Sequence, residues 1–180
     1  MGFDKSYQVE ILNWKSKGWT GRDVELFTAD QPVGKLTFEG WSGYDSNYTT
    51  GNTIISFKSK SWFDQSISIQ YNGEEVGTAS VSSLTGKAKL HLLTGELYTM
   101  KCSPFSYNRT VQGAAGETLI SFKQRTWGRN KGTIEVADNL PDLTKEVLVS
   151  TSLHLKAVAE QQVAIMVAIF MPIVVNFLNR

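Results

Sequence analysis

From Tyr7 to Val136 apolar and polar residues alternate in short runs separated by turn residues. The segments "YQVEILNW", "DVELFTAD", "VGKLTFEG", "TIISFKSK", "SISIQYNG", "EEVGTASV", "KAKLHLL", "ELYTMKC", "TLISFKQR" and "KGTIEVAD" each have the period-two pattern and β-branched or aromatic content of a strand with one buried face. Turn signals bound them, the strongest being Asn72-Gly73 in "YNGEE", which suits a type I′ hairpin. Ten or more short strands with no helix between them predict an antiparallel sheet that curls, splits into a sandwich or closes into a barrel.

After Asn139 the pattern changes. "NLPDLTKEVLVSTSLHLKAVAEQQVAIMVAIFMPIVVNFL" lacks strand punctuation and reads as helix, with Asn139 as N-cap and Pro141 and Asp142 in the first turn. Between Val163 and Leu178 every face is apolar except at Asn176, and such a helix belongs inside protein or inside lipid. Pro172 removes a backbone donor and is expected to kink or divide it. A straight helix over 163–178 measures ~24 Å, short of the roughly 30 Å hydrocarbon core of a bilayer. A barrel that encloses more space than its own side chains fill would accept this helix as its filling. The expected fold is therefore mainly β: a closed antiparallel barrel with a buried hydrophobic C-terminal helix. It forms one domain over 1–180, with strands over about 7–137 and helix over about 140–178. Removal of 163–180 is then expected to abolish soluble folding. The alternative is a tail-anchored or protein-interaction module whose helix docks to a membrane or a partner.

One stretch is written twice. "GNTIISFKSKSW" from Gly51 returns as "GETLISFKQRTW" from Gly116, identical at Gly, Thr, Ile, Ser, Phe, Lys and Trp. Ile55 and Phe57 share one strand face with Ile120 and Phe122 as their counterparts, while Ile54, Ser56, Lys58 and Lys60 correspond to Leu119, Ser121, Lys123 and Arg125 on the other. Gly/Ser/Asn/Tyr-rich stretches precede both copies. Duplication of a half-barrel about a pseudo-two-fold axis accounts for all of this.

Two related sets of strands followed by a very hydrophobic helix resemble the tubby C-terminal-like superfamily, which includes the tubby-like, LURP-one-related and phospholipid scramblase proteins. The resemblance implies a closed barrel of about twelve strands threaded by a central helix. It covers about Tyr7 to Leu178 and rests on organisation, the doubled "ISFK" strand and the apolar helix. The helical region is longer than a barrel axis requires, so two helices or a protruding end are expected. The proline-rich and cysteine-rich stretches of the scramblase branch are absent.

Composition narrows the functional classes. The net charge of +1 gives no bulk attraction to nucleic acid or acidic lipid, so an anion site has to be local. Cys102, the sole cysteine, excludes an intrachain disulfide and a cysteine-based zinc site. No apolar signal-peptide core follows Met1, and Gly2 with Ser6 matches only the short N-myristoylation pattern. His91 and His154 lie on different elements without metal-ligand spacing. No nucleophile elbow, P-loop or dinucleotide fingerprint occurs, and Glu74-Glu75 alternate beside a turn. The expectation is a non-enzymatic protein without cofactor or metal.

The doubled cations are the remaining chemistry. Lys58 and Lys60, like Lys123 and Arg125, project from one strand face about 7 Å apart, a spacing able to clamp a phosphate. Trp62 and Trp127 follow on that face and suit a lipid–water interface. Tubby-like proteins bind phosphoinositides through basic residues that include an alternating Lys-x-Arg pair, which "KQR" at 123–125 matches and "KSK" at 58–60 matches less well. The resemblance thus implies a lipid- or phosphoinositide-binding barrel, with Lys123 and Arg125 as the leading pair and Lys58 and Lys60 as their counterpart. Arg22, Lys87, Lys89, Arg129 and Lys131 are further basic residues. Such a protein would be cytoplasmic and peripheral to a membrane.

Overall fold

The alternating runs become twelve strands: β1 (Val9–Lys17), β2 (Asp23–Thr28), β3 (Gln31–Phe38), β4 (Ser46–Thr50), β5 (Thr53–Ser59), β6 (Ser66–Tyr71), β7 (Glu74–Val81), β8 (Ala88–Leu92), β9 (Leu97–Cys102), β10 (Arg109–Gln112), β11 (Thr118–Gln124) and β12 (Lys131–Ala137). One helix, α1 (Asp142–Leu178), follows. The structure, a computed structural model, describes residues 9–17, 22–40, 44–60, 66–82, 87–102, 108–124 and 131–178, without the side chains of Cys102 and 162–178. Each strand pairs antiparallel with its sequence neighbours, and β1 pairs with β12, with Val9 opposite Ala137, so the sheet closes into a barrel. Closure removes the unpaired edges that an open sheet would expose. At the Asn72-Gly73 turn both residues have positive φ, 50° and 92°, as a type I′ hairpin requires.

Alternation sets the interior. Leu12 and Trp14 on β1, Ile55 and Phe57 on β5, and Ile120 and Phe122 on β11 are buried, whereas Ile11, Lys15 and Ile54 between them are exposed. The two "ISFK" strands face each other across the barrel. Six steps around the ring (β11, β10, β9, β8, β7, β6, β5) separate β11 from β5, half of twelve, as a duplicated half-barrel requires. Leu119 departs from the expected code, being buried on the face that carries Ser121 and Lys123.

The helix threads this ring. It begins at Asp142, where the Pro141 carbonyl accepts the Lys145 N–H at 2.8 Å, so the cap lies at Pro141 and not at Asn139. Near its start, Lys145 pairs with Glu10 of β1 at 2.9 Å. Eleven residues on, about 16 Å along the axis, Lys156 lies over the Trp14 ring at 4.0 Å. Every side chain from Val147 to Ala157 is buried. α1 continues as one helix through Pro172 to Leu178, so the expected division there does not occur.

The described stretch buried among the strands is "VLVSTSLHLKA" at 147–157, more polar than the filling expected, with Ser150, Thr151, Ser152, His154 and Lys156 in it. The expectation that 163–178 is buried falls on side chains outside the described ones. Strands of up to nine residues, tilted at ~40°, give an axial height of about 15–25 Å. Thr144–Gln161 alone is ~27 Å of helix and already fills that height. α1 then continues to Leu178.

Candidate functional site

The two ends of the barrel are built differently. At the end where α1 enters, the connections are the short segments 29–30, 51–52, 72–73, 93–96 and 113–117. At the end where it leaves, they are 18–22, 39–45, 60–65, 82–87, 103–108 and 125–130. The inward-facing residues nearest the exit, together with the helix they surround, form the candidate site.

On one side of the helix is a histidine sandwich. The Ser46 hydroxyl lies 2.7 Å from His154 Nδ1, and the imidazole stacks on Phe57 at 4.6 Å and on Phe38 at 5.5 Å. The Arg22 guanidinium covers the other part of this cluster, 4.4 Å from the Phe38 ring centre, and donates to the Gly40 carbonyl at 3.3 Å. A serine beside an imidazole is the nucleophile–base pairing of acyl transfer. Here it is a packing element, because both residues have no accessible surface. Burial, with a smaller contribution from Arg22, pushes the imidazole pKa down to about 3, which makes His154 a poor base at neutral pH.

That depressed pKa has a consequence for stability. The unfolded chain binds a proton at His154 below about pH 6.5, whereas the folded chain resists it until about pH 3. Stability from this residue is therefore complete above about pH 6.5. It falls by on the order of 1.4 kcal/mol per pH unit as the pH drops toward 3. Urea unfolding between pH 7 and 4.5 is expected to show this slope. His154→Gln is expected to flatten it, whatever its effect on stability at pH 7.

On the opposite side of the helix is a cationic cluster. Lys156, 2% exposed, lies over Trp14 and holds both Glu160 carboxylate oxygens at 2.8 Å. Burial lowers its pKa, Glu160 opposes the shift, and the positive charge of Arg109 adds to it. Trp14 reaches this position because Gly132, opposite it on β12, has no side chain: a Cβ there would fall 2.8 Å from Trp14 Nε1. Arg109 opens β10, points inward across from Phe122, and is 8% exposed. Its Nη1 has no hydrogen-bond partner among the described residues, and no described carboxylate pairs with it.

The strand cations read from the repeat are arranged otherwise. Lys58 pairs with Glu39 at 2.8 Å and with Asp45 at 3.8 Å, and Lys60 with Glu75 at 2.9 Å. Lys123 is hydrogen-bonded to Glu135. The Glu39 bond holds the Lys58 ammonium above its ordinary pKa, and the same bond holds Glu39 below its own. At each of these three lysines a carboxylate already offsets part of the charge that a phosphate would meet. Because β5 and β11 lie on opposite sides of the barrel, the two pairs do not converge on one site. Arg125, Arg129, Trp62 and Trp127 lie outside the described residues. His91 is exposed on β8, away from His154, and no group of three or more potential metal-binding His, Cys, Asp or Glu residues occurs among the described residues.

The inward cations at the helix exit were missed in the sequence because a lone Lys in "LHLKAVAE" and an Arg opening a strand look like surface residues. Their signal was position: Lys156 lies within the helix that fills the barrel, and Arg109 holds the inward phase shared by Val111. No family model, no curated protein and no solved structure matches this chain.

Proposed function

We propose that the protein is a non-enzymatic lipid-binding barrel acting at a membrane surface, with the far part of α1 as the element that enters the bilayer. One observation carries this reading. Residues 144–161 already occupy the height of the barrel, and the helix then continues for the sixteen residues Val163–Leu178, apolar by sequence except at Asn176. Sixteen helical residues are about 24 Å of apolar rod, and inserting it would leave Glu160, Gln161 and Gln162 near the headgroups, where polar side chains are tolerated. Composition at the same end agrees. The connections leaving those strand ends carry by sequence Trp19, Trp41, Trp62 and Trp127, four of the five tryptophans, a residue favoured at the lipid–water interface. Among the described residues no helix is long and apolar enough to cross a membrane. The reading is insertion from one side with the barrel at the surface. Membership of the tubby C-terminal-like superfamily is part of the same proposal, supported by the closed twelve-stranded barrel, its half-turn repeat and its axial helix.

Flotation with phosphatidylcholine vesicles tests it. A charged residue near the centre of an inserted helix costs about 3 kcal/mol, so Ile169→Asp is expected to weaken vesicle partitioning roughly a hundredfold while leaving the unfolding midpoint in place. If the unsubstituted protein fails to float, and Ile169→Asp instead lowers the midpoint, the segment packs on protein and the membrane reading is wrong.

A further inference from the structure

Among the described inward-facing residues at the helix-exit end, two cations, Lys156 and Arg109, have one carboxylate, Glu160, with them. Lys156 and Arg109 are both more than nine-tenths buried, and the charge of Arg109 acts on the Lys156 ammonium. Glu160 is the one described carboxylate that pairs with either, and it gives both oxygens to Lys156. The Arg109 guanidinium is thus left with Nη1 buried and without an acceptor. Its charge is permanent, because a guanidinium does not lose its proton in proteins. Leaving such a group buried without a counter-charge is expensive, whereas a hydrogen-bonded oxyanion beside it is among the stronger polar contacts available. Lys156 has three donors, of which Glu160 uses part, so its ammonium can contribute to the same anion.

We propose that Arg109, assisted by Lys156, forms an oxyanion site at the helix-exit end of the barrel, and that its ligand is a phosphate group. The planar fork of Arg109 suits two oxygens of one phosphate, and Lys156 supplies a point charge alongside. Glu160 is the internal competitor, since it holds the ammonium that the phosphate would share. The phosphate reaches this end either from solution or, resting on the membrane reading above, as the headgroup of a lipid around the inserted helix. This site differs from the outward strand lysines in that a buried guanidinium lacks an acceptor, so no bond to Arg109 is broken when the anion enters.

Thermal unfolding of the full chain in inorganic phosphate, against chloride at matched ionic strength, tests the site itself. At tenfold its dissociation constant, phosphate is expected to raise the midpoint by roughly 3–6 °C. Arg109→Gln is expected to abolish the increment, and Glu160→Gln, which removes the competitor, to enlarge it at the same phosphate concentration. The Glu160→Gln result keeps the test decisive should Arg109→Gln fail to fold. Vesicles separate the two sources. If the ligand is lipid, vesicles with one-fifth phosphatidic acid bind the protein several-fold more tightly than pure phosphatidylcholine, and Arg109→Gln or added inorganic phosphate removes that preference. If the ligand is free phosphate, the thermal increment depends on Arg109 while the vesicle preference does not. The phosphate increment is read in solution without vesicles, and the membrane reading by flotation of Ile169→Asp, so failure of this site and failure of the membrane reading give different results. An equal phosphate increment in wild type and Arg109→Gln overturns the proposal. So does the absence of both an increment and a phosphatidic acid preference.

Discussion

Leu153→Asp is expected to leave no cooperative unfolding transition. Leu153 has no accessible surface and lies on the part of α1 that the strands surround. The substitution forfeits about 1.5–3 kcal/mol of apolar burial and takes a carboxylate out of water into the interior, at a cost of several kcal/mol more. A domain of this size has about 5–15 kcal/mol of stability in all. Leu153→Met, which keeps the volume, is expected to cost less than about 1.5 kcal/mol. Circular dichroism during a thermal ramp distinguishes the three proteins. A sharp transition in Leu153→Asp would mean that the helix is not the core of the barrel.

Shortening the chain after Gln162 is expected to produce the opposite pair of results: the unfolding transition survives and vesicle binding disappears. The residues whose burial fills the ring, from Val147 to Ala157, are all retained, as are the Lys145–Glu10 pair at one end and the Lys156–Glu160 pair at the other. What is removed is the apolar run beyond the strands. The same cut after Leu140 takes away the filling and is expected to leave an aggregating chain, because twelve strands cannot close on an empty interior without losing the packing that stabilises them. If instead the chain ending at 162 loses its transition, then 163–178 contributes to the folded core and the membrane reading falls.

Where the sequence was legible, the reason is periodicity. Alternation in "TIISFK" and "TLISFK" placed Ile55, Phe57, Ile120 and Phe122 inside, and the repeat placed the two strands in equivalent halves, now seen on opposite sides of the ring. The seat of the helix was not legible. Hydropathy argues against "STSLHLK" as a filling, yet it is buried in the barrel. Three of its polar residues find partners that no linear pattern displays. Ser150 returns its hydroxyl to the Glu146 carbonyl at 2.7 Å, His154 meets Ser46 from a strand more than a hundred residues earlier, and Lys156 meets Glu160 one turn on. The surroundings of the strand cations were not legible for a related reason. An outward cation looks available until its neighbours are known, and Lys58, Lys60 and Lys123 each have a carboxylate beside them from another strand or connection. The unpartnered cation, Arg109, faces the other way.

Closure of the ring through β1 and β12 bears on how the chain reaches its native state. Val9 finds its partner only when Ala137 has been made, and the helix that occupies the interior is made after every strand. During synthesis the hairpins can therefore form locally, but the first strand keeps an unpaired edge and the inward faces stay wet until α1 arrives. Pairings of such long sequence separation are slow to form, on the order of milliseconds to seconds. The nascent chain thus depends most on protection from aggregation until 147–157 of α1 is free to enter the ring, and slowing synthesis before that point would lengthen the interval.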